Sequence, residues 1–457
     1  MERQFPSLEW QTGNGCSLQA HITNHARGNS IMDLETPTAG DLKSETAQPS
    51  ANSSKGFPLG AAAAIGWCVF DADVPYPIAV MFDSAIDHNS RTMKGFCERN
   101  HVSLAPHGKT TMAPALFRRQ IRDGAWAMTA ATTWQAKTMR DAGVHRVLIA
   151  NQVVVPGEIE WLAKSLDEGF EVYCYVDSLE GVDIMNETLA RLRPAHRLPV
   201  LLEMGITGGR TGVRTIADGL LVAEAAARSP HLALTGTSGF EGILGPMGDR
   251  PVEDRVEEFL DQIVELTHAI EAQDWFEPTP EVIVTAGGSA FFDQVVDRFA
   301  GVSIDAPLRI VIRSGCYISH DDGSLHQASP MGETPRTDHD DLLVPAIEIW
   351  GVVLSRPEPT RALVGIGKRD ASTDGLLPIL KKVRRRGSTE VEAVPGARVV
   401  EIHDQHAFLE IDPAESLGVG DLVGFGISHP CTTFDKWRAI PIVDDDYRVV
   451  EIAETRF

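Results

Sequence analysis

The stretch EVYCYVDSLEGVDIMNETLARLRPAHRLPVLLEM, residues 171–204, contains the pattern that decides the fold. It begins with a short apolar run, continues with a longer segment that is compatible with a helix, and ends with a second apolar run. Short, continuous apolar strands separated by helices are typical of a parallel sheet that is covered on both faces. The stretch therefore predicts one β-α-β unit of such a sheet.

The same unit recurs on both sides of this stretch. Eight apolar runs are predicted to be strands, and they are VSLAP from Val102, AWAMTA from Ala125, RVLIAN from Arg146, EVYCYV from Glu171, PVLLEM from Pro199, LALTG from Leu232, EVIVTA from Glu281 and LRIVIR from Leu308. Eight units over roughly 200 residues favour an α/β fold built as a (β/α)8 TIM barrel. A doubly wound open sheet remains the alternative, because alternation alone does not reveal closure.

Composition and hydrophobic pattern divide the chain into three parts. Residues 1–60 are rich in Ser, Thr, Asn, Gly and Pro, and they are predicted to form a flexible or draped extension. Residues 61–336 are assigned to the barrel, with the strand PIAVMFD and a helix leading into it. Residues 337–457 contain strand-like runs between Gly, Pro and Asp turns, which predicts a mostly β domain. We expect the leading strand to lie near this β domain.

Composition limits the classes of function. The chain has 457 residues and a formal net charge of -23, which argues against a surface that binds the negatively charged phosphates of nucleic acids. Its one basic run, KKVRRR at residues 381–386, is predicted to be a solvated loop or turn. Six scattered cysteines without a CxxC pair indicate a reducing compartment. No run approaches the ~20 apolar residues of a membrane span, and the first residues lack a secretory layout. We expect a cytoplasmic protein with no membrane partner.

Two segments after predicted strands contain residues that suit chemistry. Lys109 follows the first barrel strand, at the end of the barrel where active sites assemble, and a partly desolvated lysine can attack a carbonyl. On position alone, an ordinary exposed loop lysine is the better explanation. The loop TAGGSA, Thr285 to Ala290, follows the seventh strand. Its small residues let backbone N–H groups approach a phosphate, and the hydroxyls of Thr285 and Ser289 add donors.

The C-terminal part of the chain contains a third candidate site. His429 and Cys431 stand two residues apart, so in an extended segment both side chains would point to one face. An imidazole and a thiolate suit Zn²⁺, and two protein ligands would leave positions for water or substrate. In HDQHAF, His406 is the better candidate for an active-site residue, and His403 for a surface residue.

Five stretches together resemble the fold-type III enzymes that use pyridoxal 5′-phosphate (PLP), and among them the D-threonine aldolases and eukaryotic-type D-serine dehydratases. The stretches are PHGKTTMAP, LLEMGITGGRTGVR, TAGGSA, RSGCYISHD, and EIHDQHAFLEI with SHPCTTFDKW. The resemblance implies an alanine racemase-like barrel that holds PLP, followed by a β domain. It also implies a homodimer whose active sites receive residues from both subunits, and a D-amino acid as the small-molecule substrate.

The resemblance also implies roles for individual residues. Lys109 matches the lysine that forms a Schiff base with PLP, and His429 and Cys431 match two metal ligands beside the cofactor. Phe240, in SGFEG, stands where relatives often have a tyrosine, and it can still pack on a ring. The remaining implied cofactor contacts are Arg210 near the pyridine ring, and Gly287, Gly288, Ser289, Gly315 and Tyr317 around the phosphate.

These assignments predict a PLP- and divalent-metal-dependent lyase for D-3-hydroxy amino acids. Cys431, at a position where aldolases can have Asp, favours Zn²⁺ over Mn²⁺ or Mg²⁺. It also favours dehydration of a D-serine-like substrate to a 2-oxo acid and ammonia, with Lys109 taking the α-proton. The alternative is a D-threonine aldolase that yields glycine and an aldehyde, with His406 as base. An amino-acid racemase and a non-catalytic PLP-binding protein are further alternatives, and the HPC sequence and the β domain count against them.

Overall fold

The computed structural model describes residues 55, 65–71, 74–245, 247, 249–338 and 341–457. All of these residues belong to one unit of the chain. Most of the predicted extension, residues 1–60, lies outside the described residues, so its prediction stays a prediction.

Strand β1 (Ile78–Phe82) and helix α1 (Asp83–Arg99) precede the barrel, as the sequence predicts. Ile86, Met93 and Phe96 recur on one face of α1 and are buried. The Phe96 ring contacts the Phe292 ring with a centroid distance of 5.1 Å, so α1 belongs to the outer layer of helices.

Each of the eight predicted apolar runs contributes one strand to a parallel sheet. The strands are β2 (Ser103–Leu104), β3 (Met128–Ala130), β4 (Arg146–Gln152), β5 (Glu171–Val176), β6 (Leu198–Met204), β7 (Leu232–Gly239), β8 (Val282–Ala286) and β9 (Leu308–Ile312). Their order in the sheet is β2-β9-β8-β7-β6-β5-β4-β3. The sheet interior is filled by side chains from neighbouring strands, among them Leu148, Tyr175, Leu201, Ile283 and Val311.

The sheet closes between its first and last strands. The N–H of Trp126 donates to the carbonyl of Leu104 over 2.8 Å, and the N–H of Thr129 donates to that of Pro106 over 2.9 Å. His107 and Thr129 also form a parallel bridge. These bonds join β2 to β3, so the fold is a (β/α)8 barrel and not the open doubly wound sheet.

Helices connect the barrel strands and cover the outside. They are α2 (Pro114–Arg122), α3 (Thr133–Asp141), α4 (Pro156–Asp167), α5 (Leu179–Leu192), α6 (Ile216–Arg228), α7 (Val252–Glu271) and α8 (Phe292–Phe299). Three of the strand-to-helix loops end in a hydroxyl N-cap, because the side chains of Thr132, Ser178 and Thr215 accept bonds from the first turns of α3, α5 and α6.

The C-terminal part forms a second, mostly antiparallel sheet after the short helix α9 (Ser324–Ala328). Its strands are β10 (Ile347–Glu358), β11 (Arg361–Val364), β12 (Ile379–Arg384), β13 (Val391–Ala393), β14 (Ala397–Ile402), β15 (Ala407–Ile411), β16 (Leu422–Gly426), β17 (Ala439–Val443) and β18 (Val449–Glu454), with α10 (Cys431–Phe434) after β16. The order is β13-β12-β16-β10-β1-β17-β18, and β11, β15 and β14 extend it from β10. Strand β1 therefore belongs to this sheet, although it precedes the barrel in the chain.

The basic run at residues 381–386 is not a solvated loop, because most of it lies in β12. Lys381 contacts Asp322 at 2.5 Å, Lys382 contacts Glu348 at 2.7 Å, and Arg385 contacts Glu415 at 2.6 Å. Acidic side chains from other parts of the fold therefore compensate these positive charges. The local sequence does not reveal these partners, because they are distant along the chain. Among the described residues, no helix is both long and apolar enough to cross a membrane.

Candidate active site

A cavity of about 440 Å³ lies at the carboxyl ends of the barrel strands, where the β domain meets the barrel. Its volume falls within the roughly 300–1,000 Å³ of small-molecule sites. Nine of the residues predicted from the sequence line it, namely Lys109, Arg210, Phe240, Gly287, Gly288, Ser289, Gly315, His429 and Cys431. The structure thus brings together residues that are separated by more than half of the chain.

Lys109 lies in a short turn, Gly108–Thr110, directly after β2. A side chain on Gly108 would collide with the barrel wall, because its Cβ would lie 2.4 Å from Cε of Met139. His107 precedes this turn and also lines the cavity. Burial, followed by the positive charges of Lys109 and Arg313, lowers the pKa of His107 well below its usual value. The cavity wall around Lys109 therefore contains a neutral imidazole.

The loop after β8 is held by a carboxylate that the sequence did not single out. Buried Glu241 accepts hydrogen bonds from the N–H of Gly287 over 3.0 Å and from that of Gly288 over 2.7 Å. Gly287 has a φ of +93°, which glycine adopts without strain. These two amides therefore shape the loop and are already bonded, and Ser289 remains the residue of the loop that offers a hydroxyl to the cavity.

Thr285 does not line the cavity and lies beneath it in the barrel. Its hydroxyl donates to the carbonyl of Val311 over 2.8 Å and accepts from Nη1 of Arg313 over 2.7 Å. Nη2 of Arg313 donates to the carbonyl of Gly239 over 2.7 Å. The expected direct phosphate contact of Thr285 is thus replaced by a role in holding Arg313, which places a positive charge in the cavity floor.

Arg210 and Phe240 form one wall together. The guanidinium of Arg210 lies 4.6 Å from the centroid of the Phe240 ring, which is within the range of a cation–π contact. The same ring packs against the loop after β8, since a Cβ on Gly288 would lie 2.9 Å from its Cε2 atom. Phe240 therefore orients the cationic side chain without donating a hydrogen bond.

His429 and Cys431 both reach the cavity, but not from an extended segment. His429 has a φ of +63°, Pro430 is helical, and Cys431 begins α10. The one-face argument of a strand was wrong here, because the chain turns at Pro430. The turn achieves the same result, since both side chains line the cavity.

The electrostatics of this pair favour opposite charges. A hydrogen bond from the Cys316 thiol, with further help from His429, lowers the pKa of Cys431 to about 4. The contact with Cys431 raises the pKa of His429 to about 9, with Asp374 adding to the effect. The hydrogen bond between Cys316 and Cys431, together with burial, raises the pKa of Cys316 well above its usual value. The lowered pKa favours the thiolate form of Cys431, which is the form that binds metal ions.

Two carboxylates hold His429 in place. Oδ2 of Asp374 lies 2.7 Å from Nδ1 of the ring. Oδ2 of the buried Asp321 accepts the backbone N–H of His429 over 2.6 Å, while its other oxygen accepts three N–H groups at the start of α9. The strained backbone of His429 is thus fixed by bonds to the loop after β9.

Besides Thr285, two further predicted site residues lie outside the cavity. Tyr317 is buried, and it lines a small separate cavity with Ser90 and Gln120. His406 is exposed in the turn between β14 and β15 and does not line the cavity of its own chain. His403 is exposed beside it and lies 2.8 Å from Glu401, in agreement with its prediction as a surface residue.

Sequence reasoning missed several residues that line or shape the cavity. Four of them stand one or two positions from a predicted residue, in the motifs PHGK, GFEG and RSGCY. Including every polar side chain of these motifs would have added His107, Glu241, Arg313 and Cys316 to the predicted site. Asp374 gave no signal, because it lies in a loop between β11 and β12, far in sequence from His429. Within the described residues, no group of three or more His, Cys, Asp or Glu side chains is arranged to hold a metal ion.

Known proteins with the same architecture were identified by sequence and by structure. A family model described as "Putative serine dehydratase domain" matches residues 346–443. A 3-hydroxy-D-aspartate aldolase of Paracoccus denitrificans (strain Pd 1222) is 24% identical over 314 residues, which cover 68% of this chain and 76% of the relative. The D-threonine aldolase of Filomicrobium marinum superposes with a TM-score of 0.70 at 23% identity, covering 86% of this chain and 97% of the other.

A dehydratase has the same fold. The D-threo-3-hydroxyaspartate dehydratase of Delftia sp. HT23 gives a TM-score of 0.64 at 17% identity, over 84% of this chain and 98% of the other. The chain thus shares the fold of these enzymes. An alanine racemase of Clostridium difficile superposes with a TM-score of 0.59 over 85% of this chain, so its fold is similar as well. The fold-type III resemblance that the five motifs indicated is confirmed.

Proposed function

We propose that this fold-type III enzyme is a PLP- and divalent-metal-dependent lyase that acts on D-3-hydroxy amino acids. The reaction that we assign is the dehydration and deamination of a D-serine-like substrate to a 2-oxo acid and ammonia. The single observation that carries the proposal is the convergence of Lys109 with the His429–Cys431 pair in one cavity. A lysine alone fits many PLP enzymes, whereas an adjacent imidazole–thiolate pair suits a metal-assisted elimination.

The cavity fits PLP by the chemistry of its wall. Lys109 offers an amine to the cavity, and Ser289, Gly315 and the cationic Arg313 line it as well. A Cβ on Gly315 would lie 2.4 Å from the carbonyl oxygen of His107, so a side chain does not fit at this position. We propose that Ser289 and the backbone after Gly315 hold the phosphate, since Gly287 and Gly288 are bonded to Glu241.

The donor set near Lys109 fits a divalent ion. The sulfur and nitrogen donors of Cys431 and His429 favour Zn²⁺, although Mn²⁺ and Mg²⁺ remain alternatives. A solved D-threo-3-hydroxyaspartate dehydratase with a cysteine-to-alanine substitution is described as the metal-free form, and a histidine-to-alanine variant of that dehydratase was also solved. The two substituted residues of that dehydratase stand two positions apart in its sequence, as His429 and Cys431 do in this one.

The residues of the chain have distinct tasks in this proposal. Bound PLP withdraws electrons from the substrate α-carbon, and a bound metal ion acts as a Lewis acid toward a hydroxyl. Lys109 holds the cofactor and moves the proton at the α-carbon. Arg210 and Arg313 attract anionic groups of the ligands into the cavity. His429 and Cys431 hold the ion, and Asp374 orients the His429 ring.

An aldolase is the second candidate, and the names of the relatives favour it. Two of the relatives described above are aldolases, one for 3-hydroxy-D-aspartate and one for D-threonine. The same cavity would then need a base for the β-hydroxyl proton. His406 does not line the cavity of its own chain, so it meets this need only from a partner subunit. We prefer dehydration because residue 431 is a cysteine, whereas aldolases can have Asp at this position.

We also propose that the enzyme works as a homodimer in a reducing, cytoplasmic compartment. Because His406 is exposed and lies outside the cavity of its own chain, an active-site role for His406 and the homodimer are proposed together. The scattered cysteines support the compartment, since the five cysteines in the described residues are all free thiols.

Product analysis separates these reactions. Purified enzyme is incubated with PLP and Zn²⁺ or Mn²⁺, and with D-serine, D-threonine or D-3-hydroxyaspartate in turn. Ammonia with a 2-oxo acid supports the dehydratase, and glycine with an aldehyde overturns it in favour of the aldolase. Lys109→Ala serves as the inactive control, and Lys137→Ala on α3, outside the cavity, is the matched control that retains activity. Turnover of none of the three substrates contradicts the proposed substrate class.

A further inference from the structure

Two cysteines from different parts of the fold meet in the cavity. Sγ of Cys316 lies 3.6 Å from Sγ of Cys431. Cys316 opens a short turn after the last barrel strand, and Cys431 opens α10 in the β domain. The hydroxyl of Thr110 lies 3.6 Å from the first sulfur and 3.4 Å from the second. The two thiols are therefore in direct contact across the boundary between barrel and β domain.

The contact is short enough for a bond to form with little movement. A disulfide needs a sulfur–sulfur distance of about 2.05 Å, so the two sulfurs must approach by about 1.6 Å. Both residues begin short helical turns that follow loops, so neither sulfur is attached to the middle of a long helix or strand. Both also line the cavity, so a small oxidant has access to them.

We propose that Cys316 and Cys431 form a reversible disulfide when a hydroperoxide reaches the cavity. When the oxidant is hydrogen peroxide, the Cys431 sulfur attacks one peroxide oxygen and the O–O bond breaks. The products of this step are a sulfenic acid on Cys431 and one molecule of water. The Cys316 sulfur then attacks the Cys431 sulfur and displaces the second water. Two thiols lose two electrons in total, and the peroxide is reduced to two molecules of water.

The bond removes Cys431 from the set of metal donors and ties the loop after β9 to the β domain. This inhibitory consequence rests on the proposed function, whereas bond formation does not. Other cysteines provide the contrast. Cys97 and Cys174 are buried in the barrel region, and Cys68 is partly exposed on a separate bridge to Arg448. None of these three lines the cavity.

Thiol counting and peptide mapping test the proposal. The full-length protein is treated with a chelator, then with one equivalent of hydrogen peroxide, and denatured. We expect the loss of two of its six thiols, a peptide pair linked through Cys316 and Cys431, and recovery of both thiols with dithiothreitol. Prior addition of Zn²⁺ should slow the reaction, because bound metal occupies the Cys431 sulfur.

Matched variants make the test specific. Cys316→Ser and Cys431→Ser should each abolish the linked peptide, while Cys68→Ser should form it as the unchanged protein does. An intact count of six thiols after peroxide would overturn the proposal, as would a linkage through any other pair. The assay uses neither PLP nor substrate, so its failure leaves the proposed function standing. Conversely, inactivity toward all three hydroxy amino acids leaves the disulfide test valid.

Discussion

Nδ1 of His429 lies 2.7 Å from Oδ2 of Asp374, so a carboxylate from the loop between β11 and β12 holds one ring nitrogen of the proposed metal ligand. The other carboxylate oxygen accepts the hydroxyl of Thr432 over 2.9 Å. A carboxylate in this position fixes the orientation of an imidazole ligand and leaves its second nitrogen for the metal. In the proposed metal site, Asp374 therefore orients His429 without being a ligand itself.

Removal of this carboxylate should weaken metal binding. We expect Asp374→Ala to lower the affinity for Zn²⁺ about 10- to 100-fold, the usual effect of losing a partner of a metal-bound histidine. Asp374→Asn keeps an oxygen that accepts from the ring and should lose less. Competition with a chromophoric chelator measures both. Asp404→Ala, at an exposed carboxylate that pairs with Arg369, is the control. Equal affinity of Asp374→Ala and the control would refute the orienting role.

Glu241 should stabilise the loop after β8 and, with it, PLP binding. Glu241→Ala leaves the N–H groups of Gly287 and Gly288 without their carboxylate, and each unpaired buried donor costs about 1–3 kcal/mol. We expect the free energy of unfolding in urea to fall by about 3 kcal/mol and the dissociation constant of PLP to rise. Glu241→Gln retains one acceptor and should lie between the two. Unchanged PLP affinity in Glu241→Ala would show that the loop does not depend on this carboxylate.

Gly315 should tolerate no side chain. In Gly315→Ala the new Cβ would lie 2.4 Å from the carbonyl oxygen of His107, so the wall must shift. Overpacking of this kind costs about 1–3 kcal/mol, and we expect weaker PLP binding as well, measured by titration of cofactor absorbance. Gly157→Ala in α4 meets no atom within 4 Å and is the matched control. Normal PLP affinity in Gly315→Ala would mean that this wall does not contact the cofactor.

Complementation between variants tests the proposed dimer. Lys109→Ala and His406→Ala should each be inactive alone if His406 acts in the site of the partner subunit. Mixed dimers then contain one intact site, and an equal mixture should recover about a quarter of the wild-type rate. No recovery after subunit exchange, checked with tagged subunits, would argue against a shared site. Full activity of His406→Ala would remove this residue from the mechanism.

The fold was predictable from the sequence because every barrel strand is a short apolar run. Closure of the barrel was not, since it depends on bonds such as that from Trp126 to Leu104 that join distant runs. The motifs PHGKTTMAP and SHPCTTFDKW were enough to select Lys109, His429 and Cys431. All three residues line the same cavity, and their roles stay predictions.

The outcome at other positions depended on details that motifs do not contain. Tyr317 is two residues from Gly315, yet the short turn at Cys316–Ile318 rotates its ring into the core. Thr285 was expected to contact phosphate, but it bonds to Arg313 inside the barrel. Asp374 meets His429 only through the arrangement of the β-domain loops, and no local pattern indicates that contact.

Reduction of the PLP-loaded enzyme with borohydride shows most directly whether Lys109 holds PLP, because it makes the bond between lysine and cofactor permanent. Enzyme loaded with PLP is reduced with borohydride, digested, and examined by mass spectrometry. We expect a phosphopyridoxyl group on the peptide that contains Lys109, and none on that peptide in Lys109→Ala. A stable label on another lysine, or bound PLP that borohydride fails to attach to any residue, would contradict it.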